Sequence, residues 1–328
     1  MRALLVALLT AASLSPTATA QQDPVPAPKP AFAFLRAPPT GLPAMPLQGP
    51  PPTEAMFELG RRLFADPILS RDRSVSCQTC HPPQLGFASP DKRPAGVGGR
   101  RAKLHAPSLL NRGYGKFMRW DGRTIGLETF VLEPIEDPNE MDLPLEDALQ
   151  RLRDDDRYRD EFAAEFADGV NAANLATCLA TFVRGIVSGD SPVDRFQRGQ
   201  HDALTPQQRR GLWLFESKGG CWRCHPAPLF TDESFHNTGV GVVDGQAKPG
   251  RLAVTQDPAD RGRFKTPTLR GVRLTAPFMH DGSIETLEEL IEFYARGGNP
   301  NDQLDAELRP LDLDAEDKAS LKAFLEAL

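Results

Sequence analysis

The 328-residue chain is poor in cysteine, tyrosine and tryptophan, with five, three and three of each. Five cysteines are too few for a disulfide scaffold, and an odd number cannot pair completely. The formal net charge of −6 offers no basic excess, which argues against a nucleic-acid partner. After the first 20 residues, no run approaches the roughly 18 apolar residues needed to span a bilayer, so we expect no membrane-spanning segment in the mature protein.

The first 20 residues have the pattern of a cleavable secretory signal peptide. Arg2 supplies the positive start, Ala3–Leu9 form a short apolar run, and Ala18–Ala20 fit the small-x-small cleavage pattern before Gln21. A buried first helix is the alternative, but it would be unusually free of polar residues and would end at Pro16. We therefore expect a soluble protein that is exported to the periplasm.

Proline, by contrast, is abundant and unevenly distributed. Eleven of the 31 prolines fall in residues 21–52, which we expect to form an extended or disordered leader. No stretch shows the alternation of a β-strand, whereas helical signals recur, so the sequence predicts an all-α fold with long loops. The predicted helices are Glu54–Phe64 after Thr53, Leu145–Leu152, Asn174–Val187, Pro206–Phe215 after Thr205, a helix that starts in the capping box Thr286–Glu289 and stops at Gly297-Gly298, and a last helix from Asp314.

An internal repeat divides the chain into two halves. In the first half, Gly60–Phe64 precede the motif Cys77–Pro82, which reads C-Q-T-C-H-P. In the second half, Arg209–Phe215 precede Cys221–Pro226, which reads C-W-R-C-H-P. The two motifs lie 144 residues apart, which is too far for a solenoid repeat. We therefore expect two duplicated domains, residues 53–190 and 191–328.

Cys-x-x-Cys-His is the attachment signature of c-type haem. Two thiols at this spacing can each bond one vinyl group of a porphyrin, and the adjacent histidine then lies beneath the iron as its proximal ligand. A redox cysteine pair or half a zinc site could use the same thiols, but two complete motifs in an exported chain favour haem. The fifth cysteine, Cys178, lies in an apolar run and is predicted to be a buried thiol. The predicted haem-binding residues are Cys77, Cys80 and His81 in the first half and Cys221, Cys224 and His225 in the second.

Six short motifs outside the cysteine segments carry a further signal: Trp120–Arg123, Pro134-Ile135, Glu140-Met141, Phe235–Gly239, Phe264–Arg270 and Thr275–Gly282. In this order they resemble the bacterial dihaem cytochrome c peroxidases and the MauG-type methylamine-utilisation enzymes. The resemblance runs from about residue 54 to the C-terminus. It implies two cytochrome c-like haem domains, of which the first is peroxidatic and the second transfers electrons.

The resemblance makes the sixth ligands of the two irons informative. Peroxidases that need reductive activation carry a capping histidine where this chain has Gly96–Gly98, with Val97 at the centre. The resemblance thus implies an open, five-coordinate first haem, with His105 as the only spare histidine nearby. At the second haem it implies Tyr294 as the ligand and leaves Met279 outside the ligand set. Residue spacing alone places Tyr294 on the inward face of its helix, where an ordinary core tyrosine is the alternative.

The resemblance also implies roles for other residues. Glu140 would move a proton between the two oxygens of peroxide, and Trp120 would relay electrons or holes between the haems. A solvated loop acid and a core aromatic are the respective alternatives. Phe130 replaces an expected glutamine and makes this pocket more apolar. His236 and His280 are expected to hydrogen-bond haem propionates or loops.

A calcium ion between the domains is implied as well. The backbone carbonyls of Thr275 and Pro277 match part of such a site, and oxygen ligands suit calcium. The usual asparagine is replaced around Leu104-His105, so we expect a weak or rebuilt site.

Two functional classes follow from the resemblance. The first is a periplasmic peroxidase that reduces hydrogen peroxide at the open haem of His81, with oxidising equivalents stored or relayed through Trp120 to the haem of His225 and Tyr294. Its electrons would come from a small c-type cytochrome or a cupredoxin. The second is a MauG-like oxidase that modifies residues of a partner protein. The missing capping histidine and the presence of Tyr294 favour this second class. A non-enzymatic dihaem electron carrier is a third reading, which the open first haem argues against.

Overall fold

The computed structural model describes residues 27–47 and 51–328. The predicted signal peptide, residues 1–20, lies outside the described residues. Within the described part of the chain, no helix is both long enough and apolar enough to cross a bilayer.

The proline-rich segment is described over residues 27–47. It is largely extended, but it contains a 3-10 helix at Phe32–Leu35 and buries the side chains of Leu35 and Met45. The backbone N–H of Ala31 donates to the carbonyl of Gly185 at 3.2 Å. This part of the segment therefore packs on the folded body, because two apolar side chains anchor it there.

Helices dominate the described residues. The α-helices are α1 (Glu54–Ala65), α2 (Cys77–Cys80), α3 (Leu127–Phe130), α4 (Glu133–Glu136), α5 (Leu145–Asp154), α6 (Asp156–Glu165), α7 (Ala172–Arg184), α8 (Pro192–Gln197), α9 (Pro206–Glu216), α10 (Leu252–Thr255), α11 (Leu287–Ala295) and α12 (Ala315–Leu325). Short 3-10 helices lie at Phe32–Leu35, Pro67–Leu69, Pro83–Leu85, Val97–Gly99, Arg112–Tyr114, Cys221–Arg223, Pro258–Asp260 and Val272–Leu274.

The starts of the long helices confirm the predicted caps. The Thr53 hydroxyl accepts from the backbone N–H of Met56, and capping boxes begin α9 at Thr205 and α11 at Thr286. Helix α7 begins earlier than predicted because the side chain of Asn171 accepts from the N–H of Asn174. It also ends earlier, before Ile186 and Val187, although both of these side chains are buried.

Two short antiparallel ribbons depart from the purely helical prediction. Strand β1 (Phe117–Met118) pairs with β2 (Thr124–Ile125), and β3 (Phe235–His236) pairs with β4 (Phe264–Lys265). Each strand has two residues, which is too short for an alternating pattern to appear in the sequence. The fold is therefore helix-rich with few strands.

The two halves pack around similar helix crossings. Helix α1 crosses α7 so closely that a Cβ on Gly60 would lie 2.0 Å from the carbonyl oxygen of Cys178. Helix α9 crosses α12 in the same way, with a Cβ on Gly211 falling 2.0 Å from the carbonyl oxygen of Ser320. One hydrophobic cluster draws on buried residues from 57 to 186 and the other on residues from 193 to 328. Cys178 is fully buried within the first cluster, as predicted.

A buried ion pair fastens the N-terminal segment to the second half. Arg270 and Asp194 are joined by two hydrogen bonds of 2.8 and 2.7 Å, and both side chains are almost completely inaccessible to solvent. Arg270 also donates to the carbonyls of Pro228 at 2.7 Å and Gly41 at 3.3 Å. Gly41 has a φ of +87°, and a Cβ there would lie 1.9 Å from Asp194 Oδ1, so both its backbone conformation and the lack of space require glycine.

Candidate active site

The first cysteine motif presents a neutral histidine to the interior. His81 lies 2.9 Å, through Nδ1, from the carbonyl oxygen of Phe87. A carbonyl can only accept, so Nδ1 carries the proton and the Nε2 lone pair is left for a metal. Burial lowers the pKa of His81 to about 4, and it raises the pKa values of Cys77 and Cys80 to about 12 and 11. The motif thus offers two thiols and one neutral imidazole.

The second motif repeats this arrangement. His225 Nδ1 lies 2.9 Å from the carbonyl oxygen of Phe230, and burial lowers the pKa of His225 to about 4. Phe230 and its counterpart Phe87 both have positive φ, at 52° and 57°, which phenylalanine rarely adopts. Burial also raises the pKa of Cys221 to about 12. The same local geometry therefore fixes both histidines in the same tautomer.

Both motifs line one cavity of about 620 Å³ between the halves. The size is within the range of cofactor pockets. The structure brings the predicted site residues together around this space. Its lining includes Cys77, Cys80, His81, Trp120, Glu140, Cys221, Cys224, His225, Thr275, Pro277 and Tyr294.

Near the first motif, Glu140 lines the cavity, as does Asp137 of the same loop. Its side chain is 30% exposed, and its Oε1 lies 3.4 Å from Arg119 Nη1. Burial raises the pKa of Glu140, although the charge of Arg119 opposes this shift. Glu140 is therefore not the freely solvated loop acid of the alternative reading.

Val97 stands at the position of the capping histidine, and its side chain has no atom that can bind iron. Val97 is buried, and its backbone N–H donates to the Glu140 carbonyl at 2.8 Å. His105 lines the cavity, but its Nε2 lies 2.9 Å from the carbonyl oxygen of Ser89. A rotation of His105 toward the first motif would break that bond.

Trp120 lines the cavity that the two motifs share. Its side chain is buried, and its indole N–H donates to the His105 carbonyl at 2.8 Å. The ring lies edge-on to His280 at a centroid distance of 6.4 Å, and His280 stacks on Phe264 at 3.6 Å. The buried Nε2 of His280 has no hydrogen-bond partner among the described residues. An unpaired polar atom at this position fits a bound group with an acceptor or donor in the cavity.

Tyr294 faces the second motif from helix α11. No hydrogen bond joins its hydroxyl to another residue in the part of the chain that the structure describes. Burial raises the pKa of Tyr294, with smaller contributions from Cys224 and Cys221. The helix presents one apolar face, as its spacing predicts. The buried members of that face are Leu287, Leu290 and Ile291.

Two cations facing the cavity were not found from the sequence. Arg112 Nη1 binds Glu233 Oε1 at 2.6 Å, and Lys265 Nζ binds the same oxygen at 3.3 Å. Burial, and then the charge of Arg112, lower the pKa of Lys265 to about 7. Two cations share one carboxylate, so an anionic group in the cavity would stabilise them. The propionates of haem have this charge, and the residues therefore fit the group that the motifs imply.

His236 and the predicted calcium residues have different surroundings. His236 lies between Asp232 and Asp305, at 2.9 and 2.6 Å, and the hydrogen bonds that it makes to Asp232 and then Cys224 raise its pKa to about 11. Among the described residues, the only metal-compatible group of three is Cys224, Asp232 and His236, where Cys224 belongs to the haem motif. Calcium at Thr275 and Pro277 stays a prediction.

Two Cys-x-x-Cys-His sites that share one cavity, with a neutral histidine at each, define a dihaem protein. A family model described as di-haem cytochrome c peroxidase matches residues 54–202. The chain is 37% identical over 280 residues to methylamine utilization protein MauG of Methylorubrum extorquens, covering 85% of this chain and 79% of that protein. It is 34% identical over 258 residues to the cytochrome c551 peroxidase of Nitrosomonas europaea, covering 77% of each. A crystal structure of a MauG-like protein associated with microbial copper homeostasis superimposes with a TM-score of 0.81 and 33% identity, over 88% of this chain and 94% of that one. The chain belongs to the dihaem cytochrome c peroxidase and MauG family.

Proposed function

We propose that the protein is an exported dihaem c-type peroxidase that reacts with hydrogen peroxide on the His81 side of the cavity. Membership of the family makes it an oxidoreductase that acts on peroxide and carries haem. The observation that carries the finer proposal is the asymmetry of the cavity. A partly buried acid, Glu140, faces it near the first motif, and Tyr294 faces it near the second.

Each haem is held by its own motif. Cys77 and Cys80 would attach the first haem and Cys221 and Cys224 the second, and His81 and His225 would bind the two irons. The matching glycine crossings and histidine–carbonyl bonds support an origin of the halves by duplication. When bound, haem supplies an iron that takes peroxide as a ligand and furnishes the electrons for O–O cleavage.

The chain's own residues supply proton transfer and a relay. Glu140 accepts the proton of the peroxide oxygen nearer the iron and returns it to the departing oxygen, which leaves as water. His105 is hydrogen-bonded to the Ser89 carbonyl, and the side chain of Val97 has no atom that can bind iron, which supports a first site left open to peroxide. Trp120 offers an oxidisable indole between the two sites.

Tyr294 would be the residue of helix α11 that binds the iron of the second haem. Its hydroxyl has no hydrogen-bond partner among the described residues, which speaks against a core tyrosine whose polar group is already satisfied. Burial disfavours the phenolate, so ionisation would need the positive charge of ferric iron close by. An anionic ligand favours the oxidised metal and suits a site that stores an oxidising equivalent.

A MauG-like activity, in which the stored equivalents oxidise residues of a partner protein, is the second candidate. Tyr294 and the 37% identity to a MauG protein favour it. The two candidates differ in where the electrons originate. In the first, a small c-type cytochrome or cupredoxin supplies them, and in the second, side chains of a protein substrate do.

Addition of hydrogen peroxide to the as-isolated ferric protein tests the proposal. We expect a prompt change in the visible spectrum and two stored oxidising equivalents per protein, measured by titration with a one-electron reductant. A ferric protein that stays silent until half-reduced would contradict the open first site and the Tyr294 ligation. Rapid consumption of the stored equivalents by a reduced cytochrome c would favour the peroxidase over the MauG-like activity.

A further inference from the structure

We propose that Arg119 is a second functional residue of the peroxide pocket, where it donates a hydrogen bond to bound peroxide and positions Glu140. The inference rests on the proposed function, because it requires peroxide to bind on the His81 side of the cavity. No motif in the sequence singles out Arg119. Its position follows from the structure alone.

The guanidinium of Arg119 lies beside Glu140 in the cavity wall. The side chain is only 15% exposed and lines the cavity together with His81 and Trp120. Its backbone has a φ of +64°, which arginine rarely adopts. A buried arginine in such a conformation needs strong local anchoring.

That anchoring comes from two sides of the guanidinium. Arg119 Nε donates to Glu133 Oε2 at 2.6 Å, and the other oxygen of Glu133 accepts from the Thr124 hydroxyl. The guanidinium also lies over the ring of Phe130, with its carbon 5.4 Å from the ring centroid. The donor is therefore held in place before any ligand binds.

Arg119 retains unused donors that a ligand in the cavity could meet. A guanidinium has five N–H groups. Among the described residues, Arg119 bonds only to Glu133 and, at 3.4 Å, to Glu140. The lining around Glu140 includes the apolar side chains of Leu127, Phe130, Val131, Pro134 and Met141. Two other charged residues also line the cavity: the charge of Asp137 raises the pKa of Glu140 and that of Arg123 lowers it, but Arg123 is 49% exposed and pairs with Asp121. Arg119 is thus the cation best placed to polarise a small ligand beside Glu140.

The chemistry needs such a donor when the O–O bond breaks. Negative charge develops on the departing oxygen, and a fixed guanidinium N–H stabilises it more effectively than water does. Glu140 passes the proton from the oxygen nearer the iron to the departing oxygen, which leaves as water, and the haem group supplies the two electrons. The charge of Arg119 also favours the ionised form of Glu140, against the effect of burial, and so helps the carboxylate to accept the first proton.

The test compares Arg119→Met, Arg119→Lys and the control Arg71→Met in the haem-loaded protein. Arg71 also pairs with a carboxylate, that of Asp142, on the loop that carries Glu140, but its side chain is 55% exposed. The first readout is the equilibrium affinity of the ferric protein for fluoride, a small anion that binds open haem iron. The second is the pH profile of the rate of reaction with peroxide.

We expect Arg119→Met to weaken fluoride binding by about tenfold or more, the effect of losing one charged hydrogen bond. The acid limb of its peroxide rate should move to higher pH, because the nearby positive charge no longer favours the Glu140 carboxylate. Arg119→Lys should keep the position of that limb while losing part of the fluoride affinity. Arg71→Met should match wild type in both readouts.

If Arg119→Met has the fluoride affinity and the pH profile of wild type, the inference is overturned and the proposed function is left intact. Wild-type protein that binds no fluoride would overturn the proposed function and this inference with it. If Arg119→Met fails to retain haem, Glu133→Gln is tested in its place, because this substitution weakens the anchoring of the Arg119 guanidinium without removing the guanidinium. An unchanged fluoride affinity in that variant would also count against Arg119.

Discussion

Replacement of Glu140 by glutamine should slow the reaction of the ferric, haem-loaded protein with hydrogen peroxide by about 10²–10⁴-fold, which is the contribution typical of a positioned general acid–base. Glutamine has nearly the shape of glutamate. Its carbonyl oxygen can still accept the long hydrogen bond from Arg119 Nη1, at 3.4 Å. The expected loss therefore reflects proton transfer and not packing, and haem content should be unchanged.

The pH dependence adds a second, independent signature. Burial raises the pKa of Glu140 above that of an ordinary glutamate, with Arg119 opposing the shift. Only the ionised carboxylate can accept the proton of peroxide, so the wild-type rate should fall as the pH drops through this raised pKa. Glu140→Gln lacks the titrating group, and its residual rate should have no such acid limb.

The assay is rapid mixing with peroxide over a range of pH, followed by haem absorbance. Glu136→Gln is the matched control, because Glu136 lies on the nearby helix α4, is exposed and accepts only the backbone N–H of Leu145 among the described residues. The control should react like wild type. A Glu140→Gln variant with the wild-type rate, or with the wild-type acid limb, would remove Glu140 from the mechanism.

Three further outcomes are expected. Tyr294→Phe should change the visible spectrum of the second haem. Tyr294→Met should raise the reduction potential of that haem in a redox titration, because a thioether favours the reduced iron. Equal potentials in wild type and both variants would contradict the binding of Tyr294 to the iron. Trp120→Phe should leave haem content intact but confine oxidising equivalents to one site in paramagnetic resonance spectra, and continued communication between the irons would rule out the relay. Arg270→Met should lower the free energy of unfolding by about 3–5 kcal/mol in denaturant titrations, because it leaves the buried Asp194 carboxylate unpaired. A double variant that also carries Asp194→Asn should recover part of this loss. If it does not, the single variant acts through packing.

The residues that the sequence identifies are those whose chemistry depends on short spacing. Two cysteines and a histidine within five positions predict haem attachment without reference to the rest of the chain, so both motifs can be recognised in isolation. Helix starts are local in the same sense, and the caps at Thr53, Thr205 and Thr286 are confirmed. The inward position of Tyr294 follows from helix periodicity.

Other parts of the site depend on partners that are distant in sequence. Arg112 and Glu233 are separated by 121 positions, so their pairing beside the cavity leaves no local pattern. The carbonyls that orient His81 and His225 belong to Phe87 and Phe230, whose positive φ cannot be read from their identity. The packing of the proline-rich segment on the folded body could not be predicted either, because proline content does not reveal that Leu35 and Met45 anchor it.

The contact between Gly41 and the Arg270–Asp194 pair constrains the order in which the chain folds. Gly41 and Arg270 are 229 residues apart, and closing a loop of that length is slow. The Asp194 carboxylate fills the space beside Gly41, so segment 27–47 finds its complete binding surface only once the second half has formed. We therefore expect docking of the N-terminal segment to be a late folding step. The same segment should be among the first to become accessible to proteases when the protein begins to open.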